Sequence, residues 1–228
     1  MLSRKRLMMA SQSVIKGSVN GIIQDDWKTI GKICAKGPEY VKKYYKIGDV
    51  KPVPIEGEGT IDYEIIGIGV QDKADGTGKA PTTWIGLDLL KTKVEWGSQA
   101  YVNSTLRNHY HNVIKSLVPE LIRNNLIKVK KICHNAPAYT SDSNTLNEEV
   151  WAPSLDEVCL SVSSQTDYAN HWNGSAHNKK CCYGTNVPSS WWLRDSYSNK
   201  EAESVQSNGT YKSVSNSNEL GVPLCFCL

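Results

Sequence analysis

Ser190-Trp191-Trp192-Leu193-Arg194 opens the final stretch of the chain, Asp195 to Glu219 continues it largely with Ser, Asn, Tyr and Lys, and Gly221-Val222-Pro223-Leu224-Cys225-Phe226-Cys227-Leu228 closes it. The middle segment holds too few aliphatic side chains to build a core, whereas both flanks are apolar enough to be pinned inside one. A polar run fastened at both ends is predicted to lie on a folded surface, which suits binding better than catalysis. Within it, Ser207-Asn208-Gly209-Thr210 separates Glu203-Ser204-Val205-Gln206 from Tyr211-Lys212-Ser213-Val214. Asn-Gly between two such segments signals a hairpin, because both residues tolerate positive φ. Val222, Leu224, Phe226 and Leu228 alternate with their neighbours and are read as a sheet strand. The same alternation predicts one of Trp191 and Trp192 inside and the other outside.

Upstream the pattern mixes helix and strand, so the fold class is α+β. Asp25 or Asp26 can cap a helix in which Trp27, Ile30, Ile33 and Cys34 recur at helical spacing, ending near Gly37. Val50 to Ile55 and Ile61 to Val70 read as two strands, and the turn-forming Asp72 to Lys79 leads into a buried segment from Thr82 to Leu90. Ser104 caps a helix with an apolar stripe of Leu106, Tyr110, Val113, Ile114 and Leu117, and Pro119 opens a shorter one through Ile122. Ile127 to Ile132 reads as a strand, and Ser154-Leu155-Asp156-Glu157 is a capping box ahead of a short helix. Ser161 to Ser189 loses periodicity, and a loop of that length carrying Tyr168, His171 and Trp172 points to function. The expected division is an N-terminal helical or attachment segment, 1–37, and one ligand-binding domain, 38–228.

Composition narrows the function classes. The 228 residues include 39% hydrophobic and 21% charged side chains, as in ordinary soluble domains. One Phe stands against seven Trp and eleven Tyr, rings that pack while keeping a polar edge for partners. A net charge of +3, with lysines spread along the chain apart from Lys128 to Lys131, gives a nucleic-acid partner little support. The basic start, Met1 to Ala10, runs into Ser11-Gln12-Ser13 rather than the roughly 7 to 15 apolar residues of an export signal. No signal peptide and no membrane insertion are therefore expected, and the chain reads as bacterial or viral, either in the bacterial cytoplasm or on a virion surface.

The seven cysteines form an odd set without a CxxC pair, so neither a disulfide scaffold nor a zinc ribbon is indicated. On a strand, Cys225 and Cys227 would share one face, opposite Leu224, Phe226 and Leu228. Vicinal Cys181 and Cys182 lie in a polar loop without an evident acid-base partner. Asp72, Asp75 and Gly76 look like part of a calcium loop, but the twelfth position is Thr83, so a turn is the better reading. His109 and His111 stand two apart on a helix and point to different sides. No metal and no cofactor are expected.

An ordered set of motifs carries a resemblance over about Trp27 to Leu228. It comprises Ile47-Gly48-Asp49, the run from Asp72 through Thr77-Gly78-Lys79-Ala80-Pro81 to Trp84, Val150-Trp151-Ala152-Pro153-Ser154, Trp191-Trp192-Leu193-Arg194 and Gly221 to Cys227. Together these resemble a domain of unknown function common in gut bacteria and their phages. The ending is similar to that of the C-type-lectin-fold variable proteins diversified by retroelements, and to the related formylglycine-generating enzymes. What the resemblance implies is a C-type-lectin-like fold with small mixed or antiparallel sheets, two main helices and long irregular loops. It also implies that the Trp191 strand and the last strand lie in a central sheet, with the ligand face between them. Two departures stand out: Asp195 follows Arg194 where Ser is expected, and Pro223 removes a ladder donor from the closing segment.

In diversified members of that class, adenine-directed mutagenesis leaves Asn, Tyr, Ser, Asp and His at exposed sites. Tyr197, Ser198, Asn199, Asn208, Tyr211, Ser213, Ser215, Asn216 and Asn218 have that appearance. The expected ligand contacts are Tyr168, His171, Trp172 and Asn173 from the long loop, with Asp195, Tyr197, Asn199, Lys200, Tyr211, Asn216 and Asn218 from the later segment. Trp191, Trp192 and Arg194 are expected to be anchors, Arg194 by pairing a buried carboxylate or carbonyls. The reading is a non-enzymatic receptor-binding protein, phage- or prophage-encoded. Its partner would be a cell-surface protein or glycan, with residues 1–37 meeting other virion proteins and virion attachment favouring a homotrimer. The alternatives are a static virion-decoration protein and an oxidative enzyme using Cys225 and Cys227.

Overall fold

Two short strands come first in the computed structural model, which describes residues 14–97, 100–134, 143–158, 180–181 and 183–228. β1 (Ser18–Val19) and β2 (Ile22–Ile23) turn on Asn20 and Gly21, both at positive φ. Asp26 then caps α1 (Trp27–Cys34), its carboxylate accepting from the Thr29 amide at 2.7 Å, and Pro38 opens α2 (Pro38–Val41). β3 (Val50–Ile55) and β4 (Gly59–Gly67) pair antiparallel, followed by β5 (Thr83–Gly86) and β6 (Lys93–Glu95).

Ser104 caps α3 (Thr105–His109), which passes through a π turn at Tyr110–Ile114 into α4 (Lys115–Leu117), and α5 (Glu120–Arg123) follows Pro119. The π turn shifts the expected apolar stripe: Tyr110 and Ile114 stay inside, but Val113 turns to the surface. β7 (Val129–His134) pairs with β8 (Ser143–Glu148), and β9 (Val150–Trp151) follows at once. The final region supplies β10 (Trp191–Ser196), β11 (Glu201–Val205), β12 (Tyr211–Ser215), β13 (Glu219–Gly221) and β14 (Cys225–Cys227).

The larger sheet has seven strands in the order β1-β2-β3-β4-β5-β14-β9, and the second has five in the order β12-β11-β10-β13-β6. The architecture is thus α+β, with sheets dominating and short helices. β14 is held on both sides, Phe226 opposite Trp84 on β5 and opposite Val150 on β9. Leu224, Phe226 and Leu228 enter a core shared with Ile30, Ile33, Cys34 and Trp84. Cys225 and Cys227 enter a second one with Trp151, Trp191 and Leu193. Trp27 packs edge-on to Trp84 with ring centroids 5.3 Å apart. The described part of the N-terminal segment therefore shares the core of the C-terminal strand.

Four expectations are corrected. The closing apolar stretch is not one strand: β13 ends in the five-stranded sheet at Gly221, and β14 begins in the other at Cys225. Gly221 permits that crossing, since a Cβ there would lie 2.5 Å from Leu89 Cδ1 and 3.2 Å from the Ser190 carbonyl. Pro223 falls between the two strands and withdraws no donor from either ladder; its carbonyl accepts from the Tyr110 hydroxyl. Trp191 and Trp192 are both buried, because β10 is covered on both faces, Trp191 entering the second core and Trp192 the first. The Ser154 capping box forms reciprocally, with Ser154 N donating to Glu157 at 3.1 Å and Glu157 N to Ser154 Oγ at 3.2 Å, but it closes a turn at residues 155–158.

Candidate functional site

Arg194 lies within β10, buried along its whole length, three residues before the chain surfaces at Tyr197. Before it, the Trp192 indole donates to the Val94 carbonyl at 2.7 Å and the Trp96 indole to the Leu193 carbonyl at 3.0 Å, tying β10 to β6 and its continuation. The Arg194 guanidinium pairs with the Glu157 carboxylate and donates to the Ala152 and Ile132 carbonyls at 3.0 and 2.8 Å. Glu157 also takes the Lys131 ammonium at 2.9 Å. Burial alone would raise the Glu157 carboxyl, but Arg194 and Lys131 hold it well below the usual carboxylate range. Lys131 is itself 1% exposed, with its ammonium 4.0 Å from the centre of the Trp151 ring and donating to Gln71.

Asp195 is a correction to the expected ligand face. It is buried, and its carboxylate accepts from the His134 amide at 3.1 Å and the Leu155 amide at 2.7 Å. Those backbone donors need partners away from water, and the carboxylate supplies them. Asp195 is therefore an internal brace between β7, the residue 155 turn and β10.

The chain surfaces immediately afterwards. Tyr197 N and Ser198 N both donate to the Glu201 carbonyl at 3.0 Å, closing a tight turn into β11. Tyr197 is 44% exposed, and Asn199 and Lys200 are exposed beside it. Asn216 N donates to the Lys200 carbonyl at 2.9 Å, its side-chain amide reaches the Asn199 carbonyl at 3.5 Å, and Gly97 N binds the Asn216 carbonyl at 2.9 Å. Asn218 is exposed two residues on. Tyr197, Asn199, Lys200, Asn216 and Asn218 are thus gathered at one end of the β10–β12 ribbon. Tyr211 is 50% exposed but stands opposite Val205 at the other end, about 13 Å away along the strand, next to the loop where Asn208 accepts from Thr210. The single patch expected from sequence is therefore divided in two. Tyr168, His171, Trp172 and Asn173 lie outside the described residues.

A cleft of about 330 Å³ adjoins the Tyr197 end, lined by Gln71, Lys131, His134, Asp156 and Arg194 among others. The Ser196 hydroxyl donates to the His134 carbonyl at 3.3 Å, which places the two features side by side, and His134 Nε2 faces Asp156 Oδ2 at 3.3 Å. Sequence reasoning missed this cleft. Its available signal was the alternation through Val129, Lys131 and Cys133, which puts a lysine on an inward face. The cleft offers hydrogen-bonding groups at fixed positions, with Lys131 and Arg194 set against Glu157.

Glu203, on β11 after the Tyr197 turn, is buried with Oε2 lacking a partner among the described residues. Burial, with Asp195 and Glu201 nearby, pushes its carboxyl up from 4.5 to about 7. The folded state then keeps a proton between pH 4.5 and 7 that the unfolded state releases, so this group favours folding below pH 4.5 and that contribution is lost as pH rises through 7. Glu203→Gln should stabilise the protein by about 1–3 kcal/mol at pH 8 and have no effect at pH 4, as read by urea unfolding at both values.

Other chemistry-bearing residues are occupied structurally. Burial pushes the Cys227 thiol up to about 11 and the Cys225 thiol higher, which keeps both protonated and unreactive at neutral pH. Cys181 is half-buried, and Cys182 lies outside the described residues. Asp72 pairs with Lys79 at 2.9 Å, and Asp75 accepts from the Thr77 amide at 2.9 Å, as a turn requires. His111 meets the buried Glu148 at 2.5 Å, whose other oxygen takes Arg107 at 2.7 Å. Among the described residues no three His, Cys, Asp or Glu side chains converge as metal ligands, and no helix is long and apolar enough to cross a membrane.

Residues 85–228, from β5 to the end of β14, match the family model described as Domain of unknown function (DUF6273). The chain belongs to the DUF6273 family. No curated protein and no solved structure matches it. The DUF6273 region contains the whole five-stranded sheet, the Arg194–Glu157–Lys131 network and the Tyr197 turn. The strands β1 to β4 and helices α1 and α2 precede it.

Proposed function

We propose that this DUF6273 protein is a ligand-binding, receptor-recognition module on a C-type-lectin-like scaffold, encoded by a phage or prophage and carried on a virion. One observation supports the reading best. The exposed Tyr197, Asn199 and Lys200 are held by a turn whose preceding residues, Trp191 to Ser196, are all buried and fastened. Side chains at that turn can change without disturbing what holds it. Tyr gives a large rigid contact at small entropic cost and Asn adaptable hydrogen bonds, the economy of antibody paratopes. The buried, protonated Cys225 and Cys227 favour this reading over the oxidative one.

The test is binding of the labelled chain to intact gut bacteria and to immobilised glycans. Tyr197→Ala combined with Lys200→Ala should weaken binding about tenfold to a hundredfold without moving the melting temperature. Unchanged binding by this variant would count against the ligand face, and no binding by either protein would favour a static decoration role. A nearby reverse-transcriptase gene, with a template repeat differing from this region mainly at adenines, would establish diversification.

A further inference from the structure

The modest overall charge conceals a steep division. Residues 1–51 contain eleven Lys or Arg and four Asp or Glu, whereas residues 52–228 contain fifteen and nineteen. Two of the four acids are turned inward: Asp25 is buried, accepting from the Lys16 and Gly17 amides and the Tyr45 hydroxyl, and Asp49 is buried, accepting from the Lys46 amide. A third, Glu39, is taken by Lys42 at 2.6 Å. Lys16, Lys43 and Lys46 are exposed, and among the described residues none of them forms an ion pair.

Exposed aliphatic side chains occur on the same segments as these lysines. Val19 (54% exposed) and Ile22 (47%) stand opposite each other on β1 and β2, and Ile47 is exposed beside Lys46. Asp25 binds this hairpin to the segment after α2, since the same carboxylate holds Lys16, Gly17 and Tyr45. On the neighbouring turn, the Lys36 and Lys43 ammoniums lie 4.4 and 5.2 Å from the centre of the Tyr40 ring. β1 is also the edge of the seven-stranded sheet, paired only with β2 among the described residues. An edge strand, exposed aliphatic residues and unopposed positive charge thus occur together.

We propose that the β1–β2 edge is a docking surface for an acidic polypeptide segment of another protein, whose apolar residues cover Val19 and Ile22 while its carboxylates meet Lys16, Lys43 and Lys46. A second copy of this chain does not fit face to face, because two basic surfaces would meet. Duplex nucleic acid would satisfy the lysines but leave the aliphatic centre wet, and a bilayer offers no strand to pair with the edge. The surface lies outside the DUF6273 match and shares no residue with the Tyr197 turn, so it stands or falls separately from receptor recognition.

The experiment uses the full chain and three probes: a synthetic peptide alternating Glu and Val, phosphatidylcholine vesicles doped with phosphatidylserine, and a random-sequence DNA duplex. The peptide is expected to bind most tightly. Lys43→Glu with Lys46→Glu should weaken it by about tenfold or more, and added salt should weaken it further. Ile22→Ser should reduce affinity while leaving the salt dependence intact, and Lys212→Glu on β12 should change nothing. The milder Lys43→Gln with Lys46→Gln, at an unchanged melting temperature, guards against misfolding. Tighter binding to duplex or vesicles, no binding of the peptide, or indifference to both charge variants would overturn the proposal.

Discussion

Arg194→Met should lower the unfolding free energy by about 3–5 kcal/mol, measured by urea denaturation at pH 7, because it strands a buried carboxylate and two carbonyls at once. Glu157 would lose the guanidinium while keeping Lys131 and the Ser154 amide, and the Ile132 and Ala152 carbonyls would lose the donor that serves them. The loss is expected to be larger than that from deleting the whole buried cluster. Arg194→Met with Glu157→Leu and Lys131→Met removes all three buried charges and should recover part of the difference. A loss below about 1 kcal/mol would show that water or a rearranged Lys131 replaces Arg194, and that the turn after it has no rigid base. The same variant should weaken ligand binding through the turn, since Tyr197 follows only three residues later.

Trp192→Ala should cost a similar amount, about 3–5 kcal/mol, by opening a cavity in the first core. The indole is fully buried there and its N–H is bonded to the Val94 carbonyl. Trp192→Phe separates the two contributions: most of the apolar contact is retained while the carbonyl loses its donor, for a cost of about 1–3 kcal/mol. Both are read from thermal and denaturant unfolding. Equal costs for Ala and Phe would mean that the hydrogen bond, rather than packing, fastens β10 to β6.

Much of the fold could be read from local chemistry. The Asp26 and Ser104 caps, the strands β3 and β4, and the hairpin around Asn208-Gly209 all form where side-chain pattern and turn residues agree. The expectation for β10 failed because alternation describes a strand with one wet face, and this strand has apolar cover on both. The split between β13 and β14 was hidden because Val222 to Leu224 stays buried while it crosses between sheets. β8 carries Ser143, Asn144, Thr145 and Asn147, a polar composition whose pairing is set by β7.

The candidate site was legible at its exposed end. Tyr197, Asn199, Lys200, Asn216 and Asn218 stand out by composition, and the structure assembles them through Glu201 and Lys200 carbonyls that no sequence pattern announces. Asp195 was misjudged because an aspartate next to a polar run looks solvated, whereas its partners are backbone amides far away in sequence. The cleft was illegible for the same reason: Gln71, His134, Asp156 and Arg194 meet only once four separate segments have packed.

The strand that joins β5 to β9 comes after the whole display ribbon in the chain, with Cys227 opposite Thr83 and Cys225 opposite Trp151. A reading-frame slip or premature stop anywhere in the ribbon would therefore remove β14 and leave the two-residue β9 without its neighbour in the larger sheet. Codon exchange at Asn199 or Tyr211 carries no such penalty. Substitutions that leave the chain running on to β14 keep this last joint of the larger sheet in place, and truncations before it do not.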